Sequence, residues 1–184
     1  MLGPIGAIAI LLHHMPSLFA YEDVAFHQPW IAPLGLDFSL RLDGLGAIFS
    51  LLILVIGALV IFYARYYLAK NDSLGRLYTL LLLFMTAMMG IVLSDNLLLL
   101  IVFWELTSLC SFLLIGYWSH STEARKGARM ALVITGAGGL TLLAGALLLG
   151  QITGSYSLQV ILQSADLIQA DPRYPVALCL ILVG

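Results

Sequence analysis

One acid in this sequence stands where a charge is expensive to keep. Glu105 lies near the middle of residues 96–118, NLLLLIVFWELTSLCSFLLIGYW. A stretch of about 20 predominantly apolar residues is long enough to cross the hydrocarbon core of a bilayer. No basic residue lies on it to neutralise Glu105. A charged residue at the centre of a membrane helix costs roughly 2.5–3.5 kcal/mol on insertion scales. A carboxyl held there is suited to reversible proton binding, because one proton removes that cost. At about 100° per residue, Trp104, Ser108 and Ser111 fall on one arc beside Glu105, while Leu98, Val102, Leu109 and Leu113 lie on its other side. Glu105 is the candidate functional residue and the other three its supporting polar face. That face is expected to point into a protein interior or a wet cavity. The plainer alternative is a glutamate that keeps its proton and only hydrogen-bonds a neighbouring helix.

Such a helix needs others around it, and the composition supplies them. Of 184 residues, 61% are hydrophobic and 10% charged, against about 25% charged in soluble domains. The reading is an all-α, polytopic transmembrane bundle of about five spans and a shortened last one, forming a single membrane domain over residues 1–184. Alternating segments of about ten residues, the mark of a membrane β-barrel, do not occur. No basic patch with interleaved aromatics points to nucleic acid. No cofactor or metal is expected. His13, His14 and His27 lack ligand spacing and read as surface histidines. Cys110 and Cys179 sit in apolar segments and read as small buried residues.

Segment one spans Leu2 to Leu12 and is ended by His13, His14 and Pro16. Without a basic n-region or a small-residue cleavage site, it does not read as a signal peptide. Residues 17–42 form a long loop, within which the alternation of Leu36–Leu42 and a Pro-Leu-Gly turn after Trp30 and Ile31 predict a short hairpin. Asp43 is placed to cap segment two, Gly44–Tyr67. Segment three is Leu77–Leu93, after a polar turn at Lys70–Arg76. Ser94-Asp95-Asn96 is short enough to make segments three and four pack antiparallel, and can cap the latter. A charged loop, Ser119–Arg129, precedes segment five, Met130–Gly150, where Ala137, Thr141 and Gly145 recur every four residues beside Gly136, Gly138 and Gly139. Such small residues favour close helix contact. Ser157–Gln169 reads as one amphipathic helix on the membrane surface, with Ile161 and Ile168 buried. Tyr174–Gly184 opens a sixth apolar segment of about half a bilayer's length, so the chain is expected to be a piece of a longer protein.

Eight Lys and Arg residues set the orientation. Arg65, Lys70 and Arg76 flank one loop, and Arg125, Lys126 and Arg129 another; only Arg41 and Arg173 lie elsewhere. The positive-inside rule makes loops 69–76 and 119–129 cytoplasmic. The loop over 17–42, the turn at Ser94 and the segment 157–169 then lie outside.

Residues 92–118 resemble the glutamate-bearing helix of the large A subunit of multisubunit, Mrp-type sodium/proton antiporters. They are more distantly similar to the L-type proton-pumping membrane subunit of respiratory complex I. Leu42-Asp-Gly-Leu45 matches the start of the preceding long helix in that family, and the Trp-Glu-Leu-Thr-Ser run at 104–108 favours the antiporter. The resemblance runs from Trp30 to Gly184. It implies that Glu105 is a protonatable group of an ion path, with a lysine partner on a broken helix that begins at Tyr174 and places that lysine beyond Gly184. It also implies a bacterial inner-membrane protein with other antiporter subunits, protons and sodium as partners. Two rival readings are a proton-pumping membrane subunit of an NADH-quinone oxidoreductase, and a structural membrane subunit without an ion path of its own.

Overall fold

The computed structural model of the chain describes residues 2–19, 23–67, 74–118 and 120–184. Eight helices and one hairpin follow in the order α1 (Leu2–Phe19), β1 (Val24–Ile31), β2 (Leu36–Leu42), α2 (Gly44–Tyr67), α3 (Leu74–Leu93), α4 (Leu97–Ile115), α5 (Thr122–Thr153), α6 (Leu158–Gln163), α7 (Ala165–Ala170) and α8 (Tyr174–Val183). Among the described residues, α2, α3, α4 and α5 are long and apolar enough to cross a membrane. The helix α8, at about 1.5 Å per residue, covers only half that distance.

The ends of the spans follow local chemistry. Asp43 opens α2, its carboxylate accepting the Gly46 N–H at 2.7 Å while its carbonyl accepts that of Ala47. Asn96 opens α4 with extended backbone, and its Oδ1 accepts from Leu98 N and Leu99 N at 3.0 and 3.1 Å. Ser121 opens α5 by accepting from Ala124 N.

Three boundaries differ from the sequence reading. The first helix does not stop at His13 but runs to Phe19 through Pro16. Pro16 removes a hydrogen bond only near the helix end. Ala7, Ile8, Leu11 and Met15 meanwhile share a core with Ala47, Leu54, Ile61 and Met85 of α2 and α3. The charged stretch before segment five is not a loop. From Thr122 onward it forms the first turns of α5, held by the Ser121 cap and by the Glu123 carboxylate at the positive end of the helix. The amphipathic segment is two helices rather than one. The Ser164 hydroxyl donates to the Val160 carbonyl at 2.7 Å, where the backbone turns from α6 into α7. Ile161 and Ile168 are buried, against Ile152, Leu149 and Tyr174. The turn read at Lys70–Arg76 lies outside the described residues up to position 73; from Leu74 the chain is already helical.

The helices pack in a row, α1 on α2, α2 on α3, α3 on α4, α4 on α5 and α5 on α8. Several contacts close on a glycine. A Cβ at Gly57 would collide with Met85, one at Gly90 with the Phe103 ring, and one at Gly145 would lie 2.7 Å from Ile181. Removing the Cβ lets backbones approach, as small residues do throughout membrane proteins. Broad apolar faces stay uncovered by this chain, among them Leu45, Ile48, Leu59 and Tyr63 of α2 and Val133 and Leu140 of α5.

The hairpin caps one end of the row. Its strands pair antiparallel from Val24↔Leu42 to Ile31↔Leu36, with an irregularity between Pro29 and Ile31. Gly35 closes the turn at φ +67°, in the left-handed region that glycine tolerates. The Pro-Leu-Gly turn expected from the sequence is therefore the turn observed.

Candidate functional site

The corner between α3 and α4 positions everything around Glu105. Its three residues, Ser94, Asp95 and Asn96, bridge to the hairpin on one side and to the segment after α5 on the other, through the pairs Leu40↔Ser94 and Asn96↔Ser157. The Asp95 N–H donates to the Ser39 carbonyl, and its own carbonyl accepts from Leu158 N, both at 2.9 Å. The Leu97 N–H donates to the Tyr156 carbonyl at 2.8 Å, and Asn96 Nδ2 to the Gly35 carbonyl at 2.9 Å. Arg41 Nε lies 3.2 Å from Asp95 Oδ1, an ion pair by distance whose N–H is not aimed for a hydrogen bond.

From this anchored start, α4 descends for 19 residues with Leu99, Ile101, Ser108 and Cys110 buried. Glu105 is half-buried. Its Oε1 is fully buried and meets no hydrogen-bond partner among the described residues. The carboxyl lies against Gly139 of α5, whose Cβ, were there one, would overlap Oε1 and stand 2.7 Å from Cδ. Leaving a buried polar oxygen unsatisfied costs about 1–3 kcal/mol, and more if it carries charge. A proton relieves that cost, as does water or a cation reaching the oxygen.

The space beside Glu105 extends to the hairpin end. Glu105 lines a cleft of about 1220 Å³ whose walls include His27, Asp37 and Ser39 of the hairpin, Asp95 at the corner, and Gln151 of α5. Trp104, Ser108 and Ser111 line a different cleft, of about 360 Å³, with Thr107, Thr135 and Gly138. Two hydroxyls of that group donate to their own helix, Thr107 Oγ1 and Ser108 Oγ to the Trp104 carbonyl at 2.7 and 3.4 Å. The hydroxyls of the arc expected from the sequence do not turn to the carboxyl. Glu105 and its arc neighbours open onto separate spaces.

Two partners of this site are not visible to sequence reasoning. Asp95 reads as a helix stop, whereas in the fold it pairs with Arg41. The signal available is that Arg41 and Arg173 are the two basic residues outside the clusters at 65–76 and 125–129. Gly139 reads as general helix-packing material, whereas in the fold it meets the Glu105 carboxyl. Three glycines within four helical residues, each costing roughly 0.5–1 kcal/mol relative to alanine, hint at a tertiary reason. Elsewhere, Cys110 is buried as expected, but Cys179 is exposed, because the apolar face of α8 that carries it is uncovered by this chain. His13 and His27 are exposed, and His14 is half-buried.

The transmembrane family described as NADH:quinone oxidoreductase/Mrp antiporter matches residues 94–184. The N-terminal family of complex I chain 5 matches residues 30–78. The A/B subunit of a probable K(+)/H(+) antiporter from Rhizobium meliloti (strain 1021) is 55% identical over 97% of this chain and 18% of its own length. The A1 subunit of a Na(+)/H(+) antiporter from Staphylococcus aureus (strain JH9) is 50% identical over 84% of this chain and 19% of its own length. The chain therefore spans less than a fifth of these relatives. Among solved structures, the Mrp complex from Dietzia sp. DQ12-45-1b superposes with a TM-score of 0.81 at 34% identity, over 95% of this chain and 19% of that one. The membrane-bound sulfane sulfur reductase, an archaeal respiratory membrane complex, shares the fold with a TM-score of 0.72 at 21% identity, over 100% of this chain and 39% of that one. This chain belongs to the family of membrane subunits common to Mrp antiporters and NADH:quinone oxidoreductase, and its relatives there are the A subunits of Mrp antiporters.

Proposed function

We propose that this chain is part of a large subunit of a secondary cation/proton antiporter, and that Glu105 is its proton-translocating group. The observation that carries the reading is the buried, unpartnered Oε1 of Glu105, on a residue that lines the larger cleft. A carboxyl so placed takes up a proton to become neutral and releases it to become an anion, with no other bond made or broken. The anion is stabilised only when a positive group or water comes near. Coupling follows if the approach of a monovalent cation, or of a cationic partner side chain, and the presence of the proton exclude one another. The relatives' names offer both sodium and potassium as that cation. Other subunits of a larger complex and the lipid bilayer are the partners this reading requires.

The hairpin, the Ser94 corner and the surface helices α6 and α7 lie outside the cell membrane, and the starts of α3 and α5 lie inside. The distribution of Arg76, Arg125, Lys126 and Arg129 supports this orientation.

The test is exchange in everted membrane vesicles that contain the assembled complex. A pH-sensitive dye follows collapse of the proton gradient on adding sodium or potassium. Glu105→Gln keeps the size and hydrogen-bonding capacity of the side chain but removes the titrating proton, so most exchange is lost. Glu105→Asp retains part of it. Full exchange in assembled Glu105→Gln complex would refute the reading.

A further inference from the structure

We infer that Gly139 is the seat that holds the Glu105 carboxyl in place between the two clefts, and so is a positioning residue for proton transfer. The inference rests on the reading of Glu105 as the proton-translocating group.

Three observations carry it. The first is steric. The carboxyl occupies the volume that a side chain at position 139 would need, so Oε1 and a Cβ there exclude each other. The second is the arrangement of the clefts around that contact. On α4, Glu105 lines the larger cleft, and its neighbours Trp104 and Ser108 line the smaller. On α5, Gly138 lines the smaller cleft and Leu143 the larger. Gly139 therefore meets the carboxyl where the two spaces come nearest along both helices. The third is contrast with the neighbouring glycines. Gly136 has open space where its Cβ would go, and a Cβ at Gly138 would lie 2.9 Å from the Gly184 carbonyl oxygen. At the glycine contacts of Gly57, Gly90 and Gly145 the side chain received is apolar, from Met85, Phe103 and Ile181. Only at Gly139, among these four, is it an acid.

A methyl group at position 139 drives the carboxyl out of its seat without removing the acid. Misplacing a reacting group by about 1 Å can cost roughly 100-fold in rate. Asp is one methylene shorter than Glu and can withdraw from the same methyl group, so the two substitutions should compensate each other.

The experiment uses the assembled complex in everted vesicles, measuring exchange against pH and the amount of assembled complex by native gel. Gly139→Ala is expected to lower exchange by about tenfold or more and to displace its pH profile. Adding Glu105→Asp to Gly139→Ala is expected to raise exchange above that of Gly139→Ala alone. Gly136→Ala, which meets nothing, is expected to match the parent. If Gly139→Ala prevents assembly, restoration of assembly by Glu105→Asp still supports the seat, and failure to restore it overturns the seat. An assembled Gly139→Ala complex with the parent's rate and pH profile overturns the seat as well, while loss of exchange in Glu105→Gln leaves the proton site standing. Full exchange in Glu105→Gln removes the proton site itself.

Discussion

Arg41 of the hairpin and Asp95 of the α3–α4 corner approach to 3.2 Å with side chains only 22% and 14% exposed. The pair ties β2 to the residue that precedes the cap of α4. Removing one partner leaves a largely buried charge, which costs more than loss of an exposed pair. Arg41→Met is expected to loosen β2 by roughly 1–3 kcal/mol. Hydrogen exchange at Ser39 and Leu40 should then speed up about tenfold for each 1.4 kcal/mol. Unchanged exchange there would mean that the Asp95 backbone bond to Ser39 and the Asn96 side-chain bond to Gly35 hold the hairpin without help from the charges.

The orientation can be read by labelling. In a complex lacking Cys110 and Cys179, a cysteine at Leu34 or Gln169 should react with a membrane-impermeant maleimide added outside intact cells. One at Lys126 should react only after permeabilisation. All three positions are exposed, so reactivity reports the side of the membrane and not burial. Labelling of Lys126→Cys from outside would invert the assignment.

Two glycines with nearly the same backbone should respond differently to a side chain. Gly154 ends α5 at φ +71° with open space around its missing Cβ. Gly35 turns the hairpin at φ +67°, and a Cβ there would lie 2.7 Å from Tyr156 Cδ2. Gly154→Ala is expected to cost only the left-handed conformation, about 1 kcal/mol. Gly35→Ala should cost that and also displace the Tyr156 ring, roughly 2–4 kcal/mol in sum. Thermal unfolding of the assembled complex checks the ranking. Gly154→Asn should be nearly silent, since asparagine tolerates this conformation.

Acid should weaken the link between α7 and α8. Arg173 donates two guanidinium hydrogen bonds to Asp171, at 3.0 and 2.8 Å, and a third from its backbone N–H at 2.8 Å. These bonds, the guanidinium's first, hold the Asp171 carboxyl down to about 2, below its ordinary 3.8. Because the folded value is the lower one, the stabilisation is complete above 3.8 and is lost as pH falls from there to about 2. Carboxyl ¹³C NMR of the chain in micelles should place the Asp171 midpoint near the lower figure and, in Arg173→Gln, near the upper one. A midpoint near 3.8 with Arg173 present would mean that the pair does not persist in solution.

Much of this molecule is written locally. Apolar length alone marks α2 to α5 as spans, because about 20 residues of hydrocarbon suffice in any context. Asp43, Asn96 and the Pro-Leu-Gly turn act on groups two to four residues away, so the sequence exposes them. Glu105 stands out for the same reason, since the cost of an acid among leucines does not depend on the helix beside it. Other features depend on partners far along the chain. Pro16 and the two histidines look like a helix end until Leu11 and Met15 find Ala47 and Leu54. The charges at 123–129 look like a loop until Ser121 caps them into α5. Nothing near Asp95 in sequence names Arg41, and nothing near Glu105 names Gly139. A carboxyl's cost can be read from its own helix, but the space it occupies exists only after a second helix has packed against the first.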